Sequence, residues 1–181
     1  MKREINSHRP IYPTPAGLIT SCDANGRPNI ITLGEVFNLS IRKPVVVGLA
    51  IAPQRYSHRL ILDSGEFVVN LPTADMLDKV IKCGSVSGRD VDKFAAFGLT
   101  ALPAKQVRPP LIAECPINLE CKLVGFRRCG DHDTFEGEVV AQHVDEDCLS
   151  ADGSIIPEKL NGFAFVLGKF FAFGKDLGSR W

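Results

Sequence analysis

Apolar residues fall in short runs along the chain, separated by Gly, Pro, Asn and Asp. That pattern predicts a mostly β protein. Ala16 to Cys22 is one such run, and it meets Asp23-Ala24-Asn25-Gly26, where Asn-Gly is a strong hairpin signal. The chain returns from Pro28 to Leu33. Pro44 opens Val45 to Ala52, which lacks alternation and is closed by Pro53. A strand covered on both faces is expected there. Glu66 to Leu71 is a run of strand formers. Ile117 to Phe126 alternates, with Leu119, Cys121 and Leu123 on one face. Thr134 to Val144 follows the polar turn Gly130-Asp131-His132-Asp133. Phe163 to Phe173 is apolar with Gly168 inside it, which predicts one strand with a bend or bulge.

Between these runs lie helix signals. Arg55 to Ile61 reads as a turn into a short helix with Ser57 as N-cap, ended by Asp63-Ser64-Gly65. Thr73 is placed to cap a helix through Lys82, with Gly84 just past its end. Ser87-Gly88 is a turn, and Asp90 to Phe97 is a further helix stopped by Gly98. About seven strands with two or three short helices inserted predict a β-barrel with helical excursions, not a doubly wound sheet.

Length and composition narrow the class. The 181 residues suit a single domain spanning 1–181. Lys+Arg and Asp+Glu are both 21, so the formal charge is zero, which argues against nucleic-acid binding through bulk positive charge. No run reaches the roughly 18 apolar residues of a membrane helix. The opening Met-Lys-Arg-Glu-Ile-Asn has no apolar core of a secretory signal, so a cytoplasmic protein is expected. Six cysteines include no C-x-x-C pair and read mostly as reduced structural thiols, with a redox role for Cys83 as the alternative.

Familiar catalytic motifs are missing. There is no phosphate loop, no Gly-x-Gly-x-x-Gly after a strand, no Gly-x-Ser-x-Gly and no His-Glu-x-x-His. His8, His58, His132 and His143 share no metal-ligand spacing, so no metal is expected. Four local features carry chemistry instead. Arg55 and Ser57 at a helix start bring N–H groups, a hydroxyl and a guanidinium to one spot, which suits a phosphate; an ordinary capped helix with a solvated Arg is the other reading. The loop from Lys82 to Phe94 holds Gly84, Ser87, Gly88 and Lys93, either as a ligand cradle or as a polar connection. Asn29 to Glu35 ends a strand in small residues that suit a flat ring or a plain strand end. His132 lies on a turn, where an imidazole either exchanges a proton near neutral pH or is simply solvated.

These pieces, in this order, resemble the flavin reductase-like family with the FMN-binding split barrel, and its flavoredoxin-type branch in particular. The matching residues are Pro13-Thr14-Pro15 with Leu18-Ile19-Thr20-Ser21, then Asn25-Gly26-x-Pro28-Asn29, then Val45 to Ala52 with Arg55-x-Ser57. Glu66 to Pro72, Cys83-Gly84-x-x-Ser87-Gly88-Arg89-Asp90-x-Asp92-Lys93-Phe94 and Gly98-Leu99-Thr100 follow. Leu119-Glu120-Cys121 and Gly130-Asp131-His132-x-x-Phe135-x-Gly137-Glu138-Val139-Val140 complete the series.

The resemblance implies a mainly β fold: a six-stranded antiparallel Greek-key split barrel with two or three short helices inserted. It implies a homodimer with FMN at the interface. NADH or NADPH reduces the flavin, and electrons pass on to a flavin, a ferric complex or a protein partner. An FMN-binding electron carrier, or a flavin or haem module without turnover, is the alternative. By the same resemblance Arg55, Tyr56 and Ser57 hold the FMN phosphate. Thr32, Leu33, Gly34 and Glu35 lie against the ring, with Ala50 and Ile51 beside it. Gly84, Ser87, Gly88 and Lys93 form a second wall, and His132 lies where nicotinamide docks. Gly34-Glu35-Val36-Phe37 departs from the family's usual aromatic or small polar run.

Overall fold

A computed structural model describes residues 1–178. β1 (Thr14–Pro15), β2 (Gly17–Cys22), β3 (Pro28–Leu33), β4 (Val36–Ser40) and β5 (Val46–Ile51) come first. Helix α1 (Tyr56–Ser64) leads to β6 (Glu66–Leu71), α2 (Leu77–Ser85) and α3 (Lys93–Phe97). Short β7 (Ala101–Leu102) and β8 (Leu111–Ile112) precede the long pair β9 (Ile117–Arg127) and β10 (Asp133–Val144). β11 (Phe163–Val166) and β12 (Lys169–Ala172) end the described fold.

Seven strands form one antiparallel sheet in the order β3-β2-β6-β9-β10-β5-β4. The sheet curls, so that Ile31 and Leu33 of β3 pack in one core with Val47, Leu49 and Ile51 of β5. Phe67, Val69, Cys121 and Phe135 fill the same interior. The fold is therefore the expected mainly β split barrel with a few short helices, and its main sheet has seven strands where six were expected. The added strand is β4. Its pattern is one buried residue followed by exposed Phe37, Asn38 and Leu39, so it carries none of the alternation that marks a half-buried strand.

β2 is buried along its whole length because both faces are covered. Ile19 points into the barrel, while Leu18 joins Ile30, Val80, Cys83, Phe94 and Phe163 in a second core beneath α2 and α3. The period of two in a strand thus serves two cores at once. This second core seats the helical loop against β3, and that seat shapes the site.

Four local expectations change. The N-cap of α1 is Arg55, and no side chain caps it. Ser57 is buried inside the first turn, where its Oγ accepts a 2.6 Å hydrogen bond from Asn29 Nδ2. Gly84 lies within α2, which runs on to Ser85. Phe163 to Phe173 is two strands rather than one, because Leu167 (φ 49°) and Gly168 (φ 86°) form a tight left-handed turn. The predicted helix from Asp90 starts only at Lys93, where the Asp92 carboxylate accepts the N–H groups of Phe94 and Ala95, and it stops at Gly98 in the left-handed region as read from sequence. Among the described residues no helix is long and apolar enough to cross a membrane.

Candidate functional site

A cavity of about 490 Å³ opens between the end of β3, the start of α1 and the segment from α2 to α3. Thr32, Leu33, Gly34, Glu35, Arg55, Tyr56, Ser57, Gly84, Ser87, Gly88, Lys93 and His132 all line it. Topology, not sequence distance, brings these residues together. β3 supplies the floor, and α2 packs on it through the bond from Thr32 Oγ1 to the Val80 carbonyl, 2.6 Å. Ala50 and Ile51 do not line the cavity. Ile51 points into the barrel core, and the Ala50 N–H is spent on the Glu35 carbonyl at 3.0 Å; Ala52, just past the strand, takes their place.

One end of the cavity is cationic. The first N–H groups of α1 have no intrahelical carbonyl to meet. Arg55 stands at that helix start, and the Arg89 guanidinium lies 5.0 Å above the Tyr56 ring. Lys93 is buried, and its Nζ donates to the carbonyls of Ile30 and Cys83, each at 2.6 Å. Burial lowers its pKa, opposed by the neighbouring Cys83 and helped by Arg55. Among the described residues, none of these three cations has a carboxylate partner. The cluster can therefore accept a dianion without first breaking an ion pair.

Asn29 completes this end. Its Nδ2 satisfies Ser57 Oγ, which leaves the serine hydroxyl hydrogen free to donate toward a ligand. Its Oδ1 is buried without a hydrogen-bond partner among the described residues. Gly88 sits against that oxygen, and a Cβ built on Gly88 falls 1.8 Å from it. Gly88→Ala is expected to displace Asn29 and cost about 1–3 kcal/mol of stability by overpacking. Gly84→Ala, whose Cβ comes no nearer than 3.3 Å to Thr32, is the mild comparison. Thermal denaturation of the two variants reads the difference.

His132 also lines the cavity, and its Nδ1 is 3.0 Å from Asp131 Oδ1. That hydrogen bond holds the exposed Asp131 carboxyl below its usual range. With the Nδ1 hydrogen donated to Asp131, the neutral ring keeps Nε2 as its free acceptor. Glu35 pairs with Arg9, and the Arg9 guanidinium stands 5.6 Å from the Phe165 ring centroid. Phe165 and Phe170, 5.3 Å apart, form an aromatic outer wall.

Arg9, Phe165 and Phe170 carry no local signal in the sequence, whereas Asn29 opens the Asn29 to Glu35 strand end and Arg89 is a charge in the glycine-serine loop. Strand pairing brings in Phe165, which lies opposite Thr14. Cys83 also lines the cavity, but burial pushes its thiol up to about 11, so it stays protonated and is a poor nucleophile. The residues fit a flat ligand ending in a phosphate: a strand floor, glycines where the opposite wall comes close, an aromatic cover and an anion-ready terminus.

The model of the flavin reductase like domain matches residues 8–156. A protein of uncharacterised activity from Archaeoglobus fulgidus is 39% identical over 149 residues, covering 82% of this chain and 81% of that one. The flavoredoxin of Desulfovibrio vulgaris (Miyazaki F) superposes with a TM-score of 0.93 at 29% identity, over 100% of this chain and 98% of that one. A flavoredoxin from Methanosarcina acetivorans gives 0.90 at 28%, over 99% and 95%.

Proposed function

Because the chain belongs to the flavin reductase like domain family, we propose that it binds FMN in this cavity and acts as an NAD(P)H-dependent oxidoreductase. The observation that carries the reading is the make-up of the cavity: a helix start whose cations have no carboxylate partner among the described residues, with the His132 imidazole and the Phe165–Phe170 wall lining the same cavity. FMN, when bound, supplies the hydride and electron chemistry at its ring.

The side chains supply position and charge. Arg55 and the helix-start N–H groups hold the phosphate, and the Ser57 hydroxyl, set by Asn29, donates to it. Thr32 to Glu35 form the floor under the ring, and Gly84, Ser87 and Gly88 let the second wall approach. Lys93, pinned on two carbonyls, places fixed positive charge inside the cavity, where it favours the anionic, reduced flavin. His132 holds or releases a proton at Nε2 where the nicotinamide of NADH or NADPH docks. Electrons leave to a free flavin, a ferric complex or a protein acceptor.

The likeness to two flavoredoxins goes with a second reading, an FMN-binding electron carrier; under it a protein partner reduces the flavin and nicotinamide plays no part. An absorbance spectrum of the FMN-loaded protein before and after anaerobic NADH, then NADPH, separates the two. Bleaching of the flavin band supports the NAD(P)H-dependent enzyme. A bound flavin band that neither nucleotide bleaches moves the function to the electron carrier. A protein that takes up no FMN would falsify both.

The chain is further proposed to work as a homodimer with the flavin at the interface. The edge strand β4 leaves Phe37 and Leu39 exposed, and Ile41 follows them, an apolar edge of the kind a second sheet covers. Sedimentation equilibrium at twice the chain mass is the expected result.

A further inference from the structure

Two cavity residues are each followed in sequence by one member of a buried, hydrogen-bonded histidine–aspartate pair. Ser57 precedes His58, and His132 precedes Asp133. His58 Nε2 and Asp133 Oδ2 are 2.8 Å apart, and both residues are buried. The His58 ring packs edge-on against Phe135 at 5.0 Å and Phe126 at 5.9 Å. The other carboxylate oxygen of Asp133 accepts the Cys129 N–H at 3.4 Å, across the turn that presents His132. Asp133 itself is registered opposite Ile51 in β5.

Besides this pair, the turn is closed by the bond from the His132 N–H to the Cys129 carbonyl at 3.2 Å and by the strand pairing of Asp133 with Ile51 and Thr134 with Arg127. Arg127 through Asp131 are exposed, and the side-chain bond of half-buried His132 is to its exposed neighbour Asp131. A buried hydrogen-bonded pair is a modest source of net stability, because its bond replaces bonds to water. What such a pair offers is a fixed geometry. Here it joins the helix that carries Arg55 and Ser57 to the strand start that carries His132.

We propose that His58 and Asp133 are positioning residues that set the His132 imidazole relative to the phosphate-binding start of α1. The proposal rests on the function given above for its catalytic meaning, and on the two side chains alone for its structural meaning. Misplacing a reacting group by an ångström can cost up to about 100-fold in rate.

The test uses Asp133→Ala, Asp133→Asn and a control, Asp63→Asn, in the exposed Arg59–Asp63 pair of the same helix. In the flavin-free chain, amide exchange of residues 130–132 is expected to speed about tenfold in Asp133→Ala and to stay near wild type in Asp133→Asn, which still accepts from His58. In the FMN-loaded protein, kcat with NADH is expected to fall about tenfold in Asp133→Ala, with KM and FMN affinity held within twofold, and Asp133→Asn restores most of it. Unchanged exchange in Asp133→Ala overturns the proposal. So does a loss of kcat that Asp133→Asn fails to restore, or one matched by an equal loss of FMN affinity, since either marks a general structural role. If Asp133→Ala does not fold, exchange and kcat of Asp133→Asn against His58→Phe decide by the same criteria. A wild type inert to NADH sinks the proposed function, and the flavin-free exchange then decides the positioning role by itself.

Discussion

Arg55→Ala is expected to weaken FMN binding by one to two decades. The guanidinium stands at the start of α1, free of any carboxylate among the described residues, so the variant removes a charged hydrogen bond and no internal contact. A hydrogen bond to a charged group contributes about 1.5–3 kcal/mol, which sets the range. Arg55 is exposed, so the melting temperature of the flavin-free chain is expected to hold. Fluorescence titration of FMN against the variant checks both size and cause. Riboflavin, which lacks the phosphate, is expected to bind wild type and variant alike. Equal FMN affinities in the two proteins would move the phosphate away from this helix.

The largest expected effect on stability lies outside the cavity, at Glu120 of β9. Its side chain is fully buried and accepts the N–H groups of Lys105 at 2.9 Å, Gln106 at 2.6 Å and Val107 at 3.1 Å. His143 Nε2 lies 2.6 Å from the same carboxylate. Glu120→Ala strands three N–H groups and an imidazole at once. Removing one partner of a buried charged network costs about 3–5 kcal/mol, a drop in Tm on the order of 10 °C for a chain of this size.

The pH dependence follows from the same contacts. Burial raises the Glu120 pKa, but the Lys105 N–H, the His143 imidazole and the Gln106 N–H together bring it below the usual range. Its stabilising contribution is therefore complete above the unfolded carboxyl value, about 4.3, and is lost as pH falls toward the lower folded value. Glu120→Gln keeps the shape without the charge and is expected to flatten this acid limb. Urea midpoints measured between about pH 6 and pH 3 read it directly.

The barrel was legible wherever a strand had a buried face to advertise. β6 was bounded correctly from its strand formers, and β9 and β10 to within a residue at an end. β4 was not, because Phe37 and Leu39 are exposed and so give it no buried face. The β11–β12 turn was missed because a leucine occupies the left-handed region there, a cost that only the surrounding structure explains. For the site, contiguous stretches such as 32–35 and 84–88 could be read locally. Ser57 was found for a different role: as a presumed cap it marked the right helix start, but burial against Asn29 is what fixes its hydroxyl. Arg9 and the two phenylalanines had no local signal, since long-range pairing alone delivers them.

The aromatic wall has a consequence for what the cavity admits. The floor and the cationic end are built on elements seated against the main sheet, whereas β11–β12 is a terminal hairpin fastened through the two residue pairs of β1 and the packing of Phe163 and Phe170. It also lies beyond residue 156, where the family match stops. A wall appended in this way can be exchanged without reopening the barrel. On the proposed function, what is admitted over the ring can then be retuned one hairpin at a time, while the cationic end is left as it is.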